Sequence, residues 1–253
     1  MRPELFNIFG FHIYGYGLMI AIGIICAAYI FTKNAGKRGY NEDKIFNLII
    51  LTVIMGVIGG KLLFIITEIE DIINDPSILL EFGNGFVIYG AIILGALTVF
   101  LYCKKKKWSS LEVLDCLVPA VAIAQGFGRM GCLLAGCCYG AETNFPLSIV
   151  FPRGVNSLAP TGIHLHPTQI YSSIFDFALG IFLLWYLKKK KDKGKTFGLY
   201  VIIYSIGRFI IEFLRNDPRG NVGVLSTSQF IAIFTLIIGI LVFNIHKFRK
   251  ESM

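Results

Sequence analysis

The chain has 253 residues, of which 55% are hydrophobic and 16% charged, with a formal net charge of +8. Soluble domains carry roughly 25% charged residues, so this composition, with a mean hydropathy of +0.68, excludes a disordered chain, a collagen-like repeat and an ordinary soluble globule. A membrane span takes ~20 apolar residues, and about seven of them would use ~140 residues, leaving short loops and termini.

In chain order the apolar runs are 16–32, 45–67, 86–103, 111–126, 169–187, 197–214 and 227–245. Several are short for a span, which calls for tilt or local thinning of the bilayer. The fourth is the weakest because Asp115 and Pro119 interrupt it. Asp115 and Asp176 are expected to cap or pair between helices. No basic region precedes the first run and no suitable cleavage site follows it, so no cleavable leader is expected. The predicted fold is an all-α polytopic membrane protein with about seven transmembrane helices, forming one integral membrane domain over residues 1–253.

The positive charge is concentrated in alternate loops. Of the 24 Lys and Arg, 17 fall in four clusters: Lys33, Lys37, Arg38 and Lys44; Lys104 to Lys107; Lys188 to Lys191 with Lys193 and Lys195; and Lys247, Arg249 and Lys250. The intervening loops are acidic or mixed, with Glu68, Glu70, Asp71, Asp75 and Glu81 in one and Arg215, Asp217 and Arg219 in another. The positive-inside rule makes the basic loops cytoplasmic, the N-terminus external and the C-terminus cytoplasmic. Solvated loop anchors account for the basic charge without a nucleic-acid partner.

Lys61, Arg129 and Arg208 stand outside those clusters. A cation at mid-bilayer costs at least ~2.5 kcal/mol on insertion scales, so it needs a partner or a function. Each falls toward the external end of its helix. Glu212 lies on the same helix face as Arg208, four residues on. In one reading Arg208 pairs with Glu212 while the other cations reach headgroups. In the other, Arg129 and Arg208 converge on the phosphate of an anionic lipid, which suits planar guanidinium donors.

After the fourth run comes a glycine-dense stretch, Gly126-Phe127-Gly128-Arg129-Met130-Gly131-Cys132 and Gly136-Cys137-Cys138-Tyr139-Gly140. It is expected to be a re-entrant or interfacial segment shaping a headgroup pocket, since irregular backbone at membrane depth survives only against a protein cavity. The external loop carrying this signature is placed at 127–167. Cys132, Cys137 and Cys138 could be free or disulfide-bonded on that side, whereas Cys26, Cys103 and Cys116 suit apolar packing. The C-x4-C-C spacing with His164 and His166 matches no common zinc framework, so no metal or other cofactor is predicted. Tyr16 is a headgroup anchor or a site residue. Tyr89 enters the third run, and His166-Pro167-Thr168-Gln169-Ile170-Tyr171 enters the fifth, where the proline suits a helix start.

These residues together resemble the phosphatidylglycerol–prolipoprotein diacylglyceryl transferases, over nearly the whole chain. Tyr16-Gly17-Leu18-Met19 resembles that family's first-span motif, and Gly59-Gly60-Lys61-Leu62 stands where the family has Gly-Ala-Arg. Gly128-Arg129-Met130-Gly131 matches the start of its Gly-Arg-x-Gly-Asn-Phe-x-Asn-x-Glu signature. His166 to Tyr171 resembles its His-Pro-Ser-Gln-Leu-Tyr, and Arg208-Phe209-Ile210-Ile211-Glu212-Phe213-Leu214-Arg215 its Arg-Phe-x-x-Glu-Phe-x-Arg. The departures fall near the reacting centre. Tyr89-Gly90-Ala91 replaces His-Gly-Gly, Cys132, Leu133, Ala135 and Cys137 replace the signature's Asn, Phe, Asn and Glu, and Ser172 replaces the Glu after the fifth-span motif. This pattern suits a divergent second copy or a relative with another acceptor.

The resemblance implies a multi-pass enzyme of the bacterial plasma membrane. It would transfer diacylglycerol from phosphatidylglycerol to the lipobox cysteine in a prolipoprotein signal peptide, forming a thioether and releasing glycerol phosphate. Arg129 would bind the phosphate with Arg208 supporting, and Glu212 would orient Arg208. Tyr16 and Gln169 would line the headgroup pocket, and Lys61 would add a substrate-binding cation. Tyr89 and His166 are the candidate bases. The alternative is a lipid-binding membrane protein of the same fold, with a different acceptor or a redox or structural cysteine cluster.

Overall fold

Long apolar runs in lipid satisfy their backbone groups as helices, and helices dominate this chain. The computed structural model describes residues 4–8, 11–80, 85–152, 158–189, 192–217 and 220–251. The helices are α1 (Gly15–Gly36), α2 (Glu42–Thr67), the short α3 (Ile69–Asn74), α4 (Ile88–Lys106), α5 (Ser110–Ala135), α6 (Thr168–Leu187), α7 (Lys195–Glu212) and α8 (Thr227–Glu251). Three two-stranded ribbons join them: β1 (Glu4–Ile8) with β2 (Phe11–Tyr14), β3 (Ile149–Val150) with β4 (His164–Leu165), and β5 (Asn221–Val222) with β6 (Leu225–Ser226), all antiparallel.

Among the described residues six helices, α1, α2, α4, α5, α6 and α8, are long and apolar enough to cross a membrane. The sixth predicted span, 197–214, forms α7, whose 18 residues include Lys195, Arg208 and Glu212. Of the loop charges read from the sequence, Glu81, Lys190, Lys191 and Arg219 lie outside the described residues, as do the side chains of Lys247, Arg249 and Lys250.

The chain packs as two compact units, one of residues 1–34 and 114–253, the other of residues 35–113. In the smaller unit α2 starts at Asn41, whose side chain accepts the Lys44 N–H at 3.0 Å. Glu42 and Asp43 in its first turn face the positive end of the helix dipole. α2 and α4 touch backbone to backbone at Gly59 and Gly90, where a Cβ on either would strike the other's carbonyl. Such small-residue contacts let membrane helices pack closely. The Tyr102 hydroxyl ties the two together, donating to the Lys44 carbonyl at 2.9 Å.

In the larger unit α5, α6 and α7 share an apolar core of Val118, Ala122, Leu179 and Leu183, flanked by Phe175, Phe197, Tyr200 and Tyr204. The Asp115 carboxylate caps α7 from α5, accepting the Gly194 N–H at 2.6 Å and the Phe197 N–H at 2.7 Å. Thus Asp115 caps a neighbouring helix, one of the roles expected for it. A second core of Tyr139, Phe151, Ala159 and Leu165 lies under the segment between α5 and α6.

The fourth span differs from the sequence expectation. The glycine-dense stretch was expected to be non-helical from Gly126, but α5 runs on through Pro119 and Gly126 to Ala135. Its glycines serve packing. A Cβ at Gly126 would crowd the Phe177 ring, and one at Gly131 would press on Tyr16 and Met19 of α1. Residues 127–135, assigned to an external loop, therefore form the end of α5. The chain leaves the helix only at Gly136, where φ is +70°.

Candidate functional site

Arg129 projects from the later turns of α5, Arg208 from the last turns of α7, and Arg215 follows α7 directly. The three guanidiniums occupy one electrostatic neighbourhood in the larger unit. Glu212, the last residue of α7 and 4% exposed, is shared between two of them. Its Oε2 lies 3.0 Å from Arg208 Nη2 and 3.9 Å from Arg215 Nη1. Its Oε1 accepts the Ser226 hydroxyl at 2.7 Å. Arg208 Nη2 also donates to Ser228 Oγ at 2.9 Å. Arg215 engages both oxygens of Asp217 from Nε at 3.0 Å and Nη2 at 2.8 Å. That fork-to-carboxylate geometry is the strong form of an arginine ion pair.

Ser226 is itself fixed at the head of α8. Its backbone N–H donates to Gln229 Oε1 at 3.1 Å, and its Oγ accepts the Gln229 N–H at 3.2 Å. This is a reciprocal capping box, with Gln at the third helical position.

Arg129 contrasts with Arg215. It faces Tyr204, Cys132, Asp176 and Cys138, but makes no hydrogen bond or ion pair with any described residue. Arg208 Nη1 is buried and has no hydrogen-bond partner among the described residues. An unmet buried donor costs about 1–3 kcal/mol. Neighbouring guanidiniums are chemically suited to an oxyanion, because their planar donors match its oxygens.

The segment after α5 is drawn to this place by backbone bonds. Asn216 N donates to the Tyr139 carbonyl at 3.2 Å and Ala141 N to the Leu214 carbonyl at 2.9 Å. On its other side Gly140 N donates to the His166 carbonyl at 3.1 Å, and His166 N to the Ala141 carbonyl at 2.9 Å. Thr168 Oγ1 donates to the Cys138 carbonyl and Gln169 Nε2 to the Cys137 carbonyl, each at 2.7 Å. The free thiols of Cys132, Cys137 and Cys138 converge, with their sulfurs within 4.8 Å of one another. Hydrogen bonds from Cys132 and Cys137 hold the Cys138 thiol well below its usual value, and Arg215 and Arg129 add to the effect.

Of the residues singled out from the sequence, Arg129, Arg208, Glu212, Tyr16, Gln169 and His166 all belong to the larger unit. Tyr16, 44% exposed, faces Arg129 and the three cysteines. Gln169 is buried, with its amide N–H turned to the Cys137 backbone. His166 Nδ1 is buried without a hydrogen-bond partner among the described residues. Lys61 and Tyr89 belong to the smaller unit. There Lys61 Nζ sits 5.4 Å from the centre of the Phe64 ring, and Tyr89 is half-buried in the first turn of α4. Sequence reasoning assigned no site role to Arg215, Ser226 or Ser228. The signal for Arg215 was its place at the end of the family-like stretch from Arg208. The serines lie beyond a turn and carry no local signature.

The family described as "Prolipoprotein diacylglyceryl transferase" matches residues 3–245. The chain is 62% identical over 251 residues to the "Phosphatidylglycerol--prolipoprotein diacylglyceryl transferase" of Clostridium tetani, covering 99% of this chain and 100% of that protein. It is 64% identical over 255 residues to the "Phosphatidylglycerol--prolipoprotein diacylglyceryl transferase 2" of Clostridium perfringens, covering 100% of this chain and 99% of that protein. It is 31% identical over 253 residues to the corresponding transferase of Finegoldia magna, covering 99% and 97%.

Proposed function

The chain belongs to the prolipoprotein diacylglyceryl transferase family, and from that premise we propose that Arg129 and Arg208 hold the phosphate of phosphatidylglycerol while its diacylglyceryl group passes to a cysteine thiol. The protein is a multi-pass membrane enzyme, a phosphatidylglycerol–prolipoprotein diacylglyceryl transferase. The acceptor is the lipobox cysteine of a prolipoprotein signal peptide. The compartment is the bacterial plasma membrane, with the N-terminus external and the C-terminus cytoplasmic.

The reaction forms a carbon–sulfur bond at the glyceryl carbon and breaks the bond from that carbon to the phosphate oxygen. Glycerol phosphate leaves with the bonding pair, so charge builds on the phosphate as the thioether forms. Donors already aimed at that charge stabilise the step without reorganising. The observation that carries this reading is Arg208 Nη1, buried without a hydrogen-bond partner among the described residues, in the electrostatic neighbourhood of Arg129. Glu212 and Ser228 fix the Nη2 side of Arg208, leaving Nη1 for the phosphate. Tyr16 and Gln169 line the headgroup pocket. His166 is the side-chain candidate for accepting the thiol proton.

The test is complementation of a conditional strain lacking its usual transferase. Restored growth, with the diacylglyceryl mass gained on the lipobox cysteine of a precursor, is the expected result. Copurified phospholipid with no mass gained on any precursor would overturn the reading in favour of a lipid-binding protein.

A further inference from the structure

The C-x4-C-C spacing corresponds to no common zinc framework, yet the three sulfurs meet within 4.8 Å. Cys132 comes from α5, and Cys137 and Cys138 from the turn that follows it. Successive side chains of an extended segment point to opposite sides. Here Cys138 adopts a left-handed backbone with φ +60°, which turns its thiol back beside that of Cys137. A non-glycine residue holds that conformation only where its surroundings enforce it. Buried Thr168 and Gln169 do so, each gripping one carbonyl of the pair. The convergence is thus built in. The cysteines are half-buried, within reach of an incoming group.

Three thiols converging within 4.8 Å, each of which gives up its proton on coordination, are a ligand set for a thiophilic divalent ion. Zinc takes four tetrahedral ligands with Zn–S near ~2.3 Å, which puts the sulfurs about 3.8 Å apart. Three protein ligands with the fourth position left to substrate mark a catalytic rather than a structural zinc site. We propose that Cys132, Cys137 and Cys138 bind one zinc ion, and that its fourth position takes the cysteine thiol of the acceptor prolipoprotein.

This inference rests on the diacylglyceryl-transfer reading and gives the thiol proton a destination other than the side chain of His166. A thiol that coordinates zinc loses its proton. The acceptor S–H bond breaks, a Zn–S bond forms, and the proton leaves on the zinc-bound hydroxide that the thiol displaces as water. The sulfur lone pair then attacks the glyceryl carbon. The C–S bond forms, the C–O bond to phosphate breaks, and the Zn–S bond to the new thioether is released. The leaving glycerol phosphate gains one negative charge at Arg129 and Arg208. No oxidant or reductant takes part. Gln169, anchored on the Cys137 carbonyl, keeps its Oε1 buried without a partner among the described residues, and it offers an acceptor for a zinc-bound hydroxide or water.

The experiment uses the full chain, reduced and purified in detergent, stripped with a chelator and titrated with Co2+ as a spectroscopic stand-in for zinc. The expected result is one equivalent bound, with sulfur-to-cobalt charge-transfer bands and a tetrahedral visible spectrum. A lipobox peptide should shift that spectrum, and its Cys→Ser counterpart should not. Chelation should abolish transfer and Zn2+ should restore it. Cys138→Ser should weaken metal binding at least tenfold. Because that variant can also misfold, the chelation arm on the native chain decides independently. Full transfer by chelated protein, binding of no stoichiometric metal, or a bound-metal spectrum indifferent to the peptide thiol would each overturn the zinc site while leaving the transferase reading standing. A thiol-responsive metal site on a protein that transfers nothing would overturn the transferase reading instead.

Discussion

Glu212 is held on both oxygens, by Arg208 Nη2 at 3.0 Å and by the Ser226 hydroxyl at 2.7 Å. The carboxylate therefore acts as a bracket that fixes which face of Arg208 stays available. Glu212→Gln keeps the shape but weakens the ion pair. We expect it to lower kcat/KM for phosphatidylglycerol by roughly tenfold, ~1.4 kcal/mol. Glu212→Ala leaves Arg208 buried without its counter-charge, and a loss on the order of 3–5 kcal/mol in stability is expected. Steady-state kinetics and thermal unfolding of the same preparations check both.

Arg129 behaves differently because no described residue pairs with it. Arg129→Lys keeps the charge and loses the planar fork. Its kcat/KM should fall about 100-fold, ~2.7 kcal/mol, with the melting temperature close to that of the parent. A large drop in melting temperature would show that the guanidinium is a structural element.

Asp115 is the cap that α7 receives from α5. Asp115→Ala removes the acceptor from two backbone donors at the start of α7, and a cost of about 1–3 kcal/mol is expected. Hydrogen exchange should rise first at Gly194 and Phe197. Uniformly faster exchange would instead mean that Asp115 supports the whole unit.

The α2–α4 contact makes a paired prediction. Gly59→Ala puts a methyl into the Gly90 backbone and should destabilise by ~1–3 kcal/mol. Gly56→Ala on the same helix meets nothing closer than 3.9 Å, and by removing a glycine from a helix it should be neutral or mildly stabilising. Equal effects of the two in thermal unfolding would refute the close contact.

The membrane helices were legible because apolar length is a one-dimensional signal. The pairing of Arg208 with Glu212 was legible too, since residues four apart share a helix face. The stretch from Gly126 to Cys132 was misread because glycine serves turns and close helix contacts alike, and only Phe177, Tyr16 and Met19 show which applies. The cysteine convergence was invisible for another reason. It depends on one positive φ at Cys138 and on two buried side chains some thirty residues away, Thr168 and Gln169. The cap from Asp115 to Gly194, 79 positions apart, belongs to the same class: the sequence named the residue and left its partner open.

Ser226 has a single hydroxyl proton. With that proton given to Glu212, only its lone pairs remain for the Gln229 amide. The head of α8 and the bracket around Arg208 are therefore wired in series through one oxygen. A lesion at Glu212 frees that hydroxyl to rotate, whereas a side-chain lesion at Gln229 leaves its backbone N–H on Ser226 Oγ and takes away only the acceptor of the Ser226 N–H.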